Sequence, residues 1–153
     1  MAPATRDSET PPFFFRLLEA LYGRVFRLVA ALGVPPSFIV TLETTGRRSG
    51  RARSVVLILA DHEGHRYAVS VLGGSSDWVQ NVIATGGQAT IRHGRRRRVR
   101  LQAVPVGQRA PVLRSYLKWA LGARRVLGLG PASPIEEFER IAADHPVFRI
   151  ERV

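Results

Sequence analysis

One stretch gathers more chemically able groups than any other part of this chain: Thr44-Thr45-Gly46-Arg47-Arg48-Ser49-Gly50-Arg51-Ala52-Arg53. Arg47, Arg48, Arg51 and Arg53 supply positive charge, and a guanidinium can grip two phosphate oxygens at once. Thr45 and Ser49 add neutral hydroxyl donors. Gly46 and Gly50 free the backbone to aim N–H groups at one point, as in anion-binding nests. The chemistry that fits is capture of a phosphate or phosphodiester. A solvated basic hairpin turn has the same composition, so the turn alone leaves both readings open.

The other candidates are weaker. Arg92, Arg95, Arg96, Arg97, Arg98 and Arg100 form the densest charge cluster. It reads as a solvated hairpin tip, because it lacks the interleaved aromatics on which bases stack. Trp78 follows the glycine-rich break Gly73-Gly74-Ser75-Ser76 and suits either a planar ligand ring or a buried anchor. Tyr116 and Trp119 lie one helical turn apart, with core packing as the default and a substrate pocket as the alternative. His62, His65, His93 and His145 show no metal-ligand spacing, so no metal is expected, and His145 before Pro146 reads as structural. There is no cysteine, hence no disulfide, thiolate metal site or cysteine nucleophile. No Ser-His-Asp order or carboxylate pair stands out among the 12 acidic residues. Chemistry borrowed from an organic cofactor fits better, since the protein then only binds and orients.

The chain has 153 residues and 45% hydrophobic content, which suits a single domain with a real core. Its formal net charge is +11, and all but one of its 23 lysines and arginines are arginine. Such a surface favours phosphates, polycarboxylates, nucleic acid or anionic lipid heads. No apolar run reaches the length of a membrane-spanning helix. Residues 1–11 are polar and proline-containing, unlike a signal peptide, and read as a disordered arm of a cytoplasmic protein.

The elements that must position these residues follow from periodicity. Residues 12–33 predict an amphipathic helix whose stripe includes Leu17, Leu21, Val25 and Leu28. Its expected role is to cover a barrel. The rival role is peripheral membrane contact, with Phe13, Phe15 and Phe26 partly exposed beside Arg16, Arg24 and Arg27. Strands are expected at 38–43, 54–60, 65–72, 88–93, 96–104 and 146–150. The run Val55-Val56-Leu57-Ile58-Leu59-Ala60 is apolar on both faces, as in a strand between a barrel interior and a helix. Helices are expected at 77–85, 108–120 and 134–143. The last would start in a capping box, Ser133-Pro134-Ile135-Glu136. Residues 122–132 read as a loop. The whole is an α+β domain over 12–153, with no second domain.

The order of these features resembles the deazaflavin-dependent nitroreductase family of split β-barrel flavin-binding proteins. The resemblance rests on the Gly46-to-Arg53 turn, the strand after it, Tyr67-Ala68-Val69-Ser70, Gly73-Gly74 and Asp77-Trp78-Val79-Gln80-Asn81. It covers residues 39–104. Val55-Val56 stand where the family often has proline, and Val79 where an aromatic is common. The resemblance implies a mostly antiparallel split β-barrel with flanking helices. It implies that Arg47, Arg48, Ser49, Gly50, Arg53, Ser54 and Val55 hold the phosphate and tail of coenzyme F-420. Ser70, Val71 and Leu72 would border the deazaflavin ring, and Trp78 and Asn81 would complete the groove. The implied reaction is hydride transfer from the reduced coenzyme to a quinone, nitroaromatic or activated enone. Ser70 and Tyr116 are the candidate proton donors. Alternatives are the same barrel binding FMN, a non-catalytic deazaflavin carrier or peripheral membrane protein, and, third, a nucleic-acid module. Monomer and homodimer both stay open.

Overall fold

The protein is described here by a computed structural model, which covers residues 23–25, 27, 28, 32 and 37–153. Six strands are present among these residues: β1 (Ile39–Thr45), β2 (Ala52–His62), β3 (His65–Val69), β4 (Gln88–His93), β5 (Arg95–Ala103) and β6 (Val147–Arg152). They close into a barrel in the order β1-β2-β3-β6-β5-β4, and every adjacent pair is antiparallel. Residues 23–25, 27, 28 and 32 are helical, within the helix expected at 12–33, and four further α-helices follow among the described residues: α1 (Asp77–Ala84), α2 (Arg109–Tyr116), α3 (Leu121–Leu127) and α4 (Ile135–Ile141). Short 3-10 turns occupy Val106–Gln108 and Ala142–Asp144. The expected α+β split barrel is therefore the fold.

Strand β2 shows how the sequence dictates two cores. Val55, Leu57 and Leu59 alternate into the barrel, where they meet Val40, Leu42, Ala68, Leu101 and Phe148. Ile58 and Ala60 point the other way and pack with Leu113, Leu117 and Phe138 of the helical layer. An alternating strand places successive side chains on opposite faces, so a strand apolar on both faces needs two cores. Helix α1 plugs one end of the barrel by adding Val79 and Val82 to the interior. Its seat is set by Gly87, whose amide donates to Val82 O at 2.9 Å and whose carbonyl accepts from Leu101 N at 2.8 Å. A Cβ on Gly87 would lie 2.5 Å from Leu101 O, and its φ of +92° disfavours any other residue. The β2–β3 hairpin turns on Glu63 and Gly64, at φ 49° and 78°. Two successive positive φ values match the twist of the flanking strands.

Several expectations are corrected. Val25 and Leu28 do not pack on the barrel; they are 59% and 60% exposed. The helical layer over the barrel is supplied by α2 and α4. Leu17, Leu21, the other stripe residues up to 22, the phenylalanines at 13, 15 and 26, and the arm 1–11 lie outside the described residues. The stretch read as a loop at 122–132 begins with helix α3, closed by Gly128 at φ +66°. Its only buried residue is Ala123, so no apolar stripe announced it. The capping box at Ser133 does not form. The Ser133 hydroxyl instead accepts from Gly130 N at 2.9 Å, and α4 begins at Ile135 with no side-chain cap.

Candidate functional site

Register fixes the basic turn. Thr44 pairs with Arg53 and Thr45 with Ala52, so Gly46–Arg51 project from the β1–β2 end of the barrel. Gly46 N donates to Arg51 O at 2.7 Å, and Gly50 N donates back to Gly46 O at 2.8 Å. Both positions favour glycine. A Cβ on Gly46 would meet Ser49 Oγ at 2.8 Å, and Gly50 adopts φ +68°. The Ser49 hydroxyl accepts from Arg51 N at 3.2 Å. The glycine amides therefore do not converge on an external anion, as a nest would require. They are spent inside the turn, and charge at its tip comes from side chains.

Those side chains divide into two sets. Arg47 turns toward α1. Its backbone N–H and its Nη1 both donate to Asn81 Oδ1, at 3.1 and 3.0 Å. Nη1 and Nη2 each lie 3.3 Å from Asp77 Oδ1. Asn81 is buried and donates from Nδ2 toward Thr44 Oγ1 at 3.4 Å. Arg48, Arg51 and Arg53 are exposed, and none belongs to an ion pair among the described residues.

Beside the turn lies a cavity of about 910 Å³. Its cationic end is formed by Arg48, Ser49, Arg53 and Ser54. Its apolar lining comes from Val56 and Ile58, farther along β2 from the turn, and from Val71 and Leu72. Trp78 and Tyr116 also line it. Trp78 is half-buried and packs edge-on against Phe148, with centroids 5.7 Å apart. It serves as anchor and as cavity wall together. Trp119 does not join Tyr116; it stacks on Phe38 at 5.3 Å and is largely exposed.

The two proton-donor candidates differ. Ser70 is buried, and its hydroxyl lies 2.6 Å from Gly73 O and 3.2 Å from Ser76 Oγ. Its carbonyl meets His145 Nδ1 at 3.3 Å. Its polar groups shape the Gly73–Gly74 loop. Tyr116 sits at the C-terminal end of α2, and burial pushes its phenol up to about 12. It is a neutral O–H group throughout the physiological range.

Every residue expected at the cofactor lines this cavity except Gly50, which shapes the turn from behind. The lining residues missed include Gly23, Thr44, Val56, Leu57, Ile58, Val69, Ser76 and Asp77. Val56 and Ile58 were legible, because they share the β2 face of Ser54. The Asp77–Arg47 pair was not, since 30 residues separate them. Among the described residues no group of acidic and histidine side chains could hold a metal ion. The other arginine cluster lies elsewhere on the barrel. Arg96, Arg98 and Arg100 point outward from β5, and Arg96 pairs with Glu43 at 3.2 Å.

A family model for F420H(2)-dependent quinone reductase matches residues 17–118, a span holding the turn, the cavity walls and Tyr116. The chain belongs to this family. Among solved structures, this F420H(2)-dependent quinone reductase family member is similar to a conserved hypothetical protein from Mycobacterium tuberculosis. Identity is 14%, with TM-score 0.54, over 85% of this chain and 79% of that one. It is also similar to a proposed 5-nitroimidazole antibiotic resistance protein from Bacteroides thetaiotaomicron. There the identity is 7% and the TM-score 0.55, over 82% and 78% of the two chains. A protein related to general stress protein 26, of the pyridoxinephosphate oxidase family, from Clostridium acetobutylicum aligns at 11% identity and TM-score 0.51. Coverage is 88% and 84%. At these identities the likeness is one of fold. No curated protein matches the chain by sequence. No helix among the described residues is long and apolar enough to cross a membrane.

Proposed function

We propose that this protein binds reduced coenzyme F-420 in the cavity and reduces a small electrophilic acceptor, of the quinone, nitroaromatic or activated-enone type. The observation that carries this reading is the polarity of this cavity. Arginines and hydroxyls stand at the turn end, and aliphatic walls stand farther along β2 and at Val71 and Leu72. A ligand with a phosphate at one end and a planar apolar ring at the other fits that gradient. A volume of about 910 Å³ lies within the range of small-molecule and cofactor sites. The reduced deazaflavin, when bound, supplies the hydride.

The residues of the chain do the rest. Arg48 and Arg53 hold the anionic end through charge-assisted hydrogen bonds. Val56, Ile58, Val71 and Leu72 exclude water from the ring end, which protects the reductant and strengthens local electrostatics. Trp78, held by Phe148, gives a rigid edge against which a ring can be oriented. Tyr116 holds a proton at its phenol oxygen and offers it to the oxygen of the acceptor. Ser70 fixes the loop that carries Leu72 past the cavity.

The direct test is to follow oxidation of the reduced coenzyme by absorbance, with menadione and a nitroaromatic as acceptors. Turnover dependent on both protein and acceptor is expected. Binding of the coenzyme without turnover of any acceptor class would make the protein a carrier.

A further inference from the structure

Composition alone presents the turn arginines as one set aimed at one anion. The geometry separates them. Among the described residues, Arg47 is the only turn arginine tied on both its backbone and its side chain to another element, and the element is α1, the plug of the barrel. Asn81 Oδ1 accepts twice from this single residue. The carboxylate of Asp77 closes the outer side of the guanidinium, at 3.3 Å from both terminal nitrogens. Asn81 in turn reaches Thr44, the last inward residue of β1 before the turn. The chain thus runs from β1 through Asn81 to Arg47 and Asp77. With Nη1 shared between the Asn81 amide oxygen and the Asp77 carboxylate and Nη2 directed at the same carboxylate, three of the five guanidinium N–H donors are engaged before any phosphate arrives. Its charge is offset by Asp77, which an incoming anion would have to displace.

We propose that Arg47 is a positioning residue: with Asn81 and Asp77 it latches the Gly46–Gly50 turn to α1, while Arg48 and Arg53 make the charged contacts to the bound anion. The inference rests on the cofactor reading above, and it assigns distinct work to neighbouring arginines that composition cannot tell apart. It also explains the buried Asn81. Asn81 is 4% exposed, and a buried amide needs its hydrogen-bonding capacity filled. Arg47 fills the oxygen twice, so the turn has one seated conformation. Preorganisation of this kind lowers the ordering cost of binding.

A ligand and a latch leave different marks on salt dependence. A side chain that neutralises an anion contributes to the slope of affinity against salt, and its removal flattens that slope. A residue that only shapes the turn changes affinity and leaves the slope alone. The full chain is titrated with coenzyme F-420 at several sodium chloride concentrations. Arg48→Gln and Arg53→Gln should each lower affinity and flatten the slope. Arg47→Gln should lower affinity about tenfold with the slope of the wild type. Asn81→Ala should do the same, and the double variant should be no worse than the poorer single, because both remove one latch.

Hydrogen exchange reads the latch without any coenzyme. The Arg47 amide should exchange about tenfold faster in Asn81→Ala, as expected for loss of one hydrogen bond. Asn81→Asp keeps an acceptor at the same place and should retain slow exchange, which guards against a fold lost in the alanine variant. Flattening of the salt slope by Arg47→Gln, additive losses in the double variant, or unchanged Arg47 exchange in Asn81→Ala would each overturn the latch. Failure of the wild type to bind F-420, with the exchange pattern intact, would instead remove the cofactor reading and leave the latch standing.

Discussion

In the proposed function, three residues bear most of the weight. The side chains of Arg48 and Arg53 line the cavity and belong to no ion pair among the described residues, so each can be truncated without removing an ion pair of the turn. Arg48→Ala or Arg53→Ala should weaken F-420 binding by ~1.5–3 kcal/mol, the range for charge-assisted hydrogen bonds, with the melting temperature little changed. Calorimetric or fluorescence titration beside a thermal melt checks this. Tyr116 is the third. Tyr116→Phe should lower turnover by about 10²-fold or more and leave coenzyme affinity near that of the wild type. It has a second signature in pH. The phenol is raised from 10.0 to about 12 by desolvation. Its stabilising contribution is complete below pH 10 and is lost as pH rises toward 12. The two-unit shift corresponds to roughly 2–3 kcal/mol. Denaturant melts at pH 9 and 11.5 should show a smaller alkaline loss in Tyr116→Phe than in the wild type. At this scale the sequence was partly legible. It offered Arg48, Arg53 and Tyr116 by type and spacing. It could not separate Arg47 from its neighbours, because that distinction lies in contacts with Asp77 and Asn81 on another element.

The elements were the most legible scale, for a physical reason. Period-2 alternation and paired turn residues are local properties, and β4 spans the expected residues 88–93. The failures were elements whose signal is weak or shared. Helix α3 buries only Ala123, so no hydrophobic stripe marked it. Ser133 looked like a cap because its neighbours fit the motif, yet its hydroxyl serves the preceding turn. Gly87 is where an element depends on one residue. Its positive φ and its contact with the Leu101 carbonyl leave no room for a side chain. Gly87→Ala should therefore destabilise the protein by about 1–3 kcal/mol and displace α1, lowering coenzyme affinity as well. Gly64→Ala offers a control: its φ is also positive, but a Cβ there meets nothing within 4 Å. Its effect should be confined to stability, as read by denaturant titration and coenzyme binding side by side.

For the whole molecule the dominant fact is charge. A net +11 spread over a small barrel creates a general attraction for anions. The cavity uses part of it. The β4–β5 hairpin carries more, with Arg95, Arg96, Arg97, Arg98 and Arg100 all exposed and Arg92 directly opposite Arg96. No Phe, Tyr or Trp lies on either of these two strands, so the surface can meet phosphates but lacks an aromatic platform for stacking bases. Only weak DNA binding is expected, lost by physiological salt and indifferent to sequence. Gel-shift titrations from low to physiological salt test this, and sequence-specific binding that survives would reverse the ranking of enzyme over nucleic-acid module. The central claim is narrower: the charge at the turn serves a coenzyme with a long polyanionic tail. Fluorescence titration of the purified protein with F-420 and FMN, at low and moderate salt, tests it most directly. F-420 should bind at least tenfold more tightly than FMN, and added salt should weaken F-420 more. Equal affinity for the two, or F-420 binding indifferent to salt, would contradict the account.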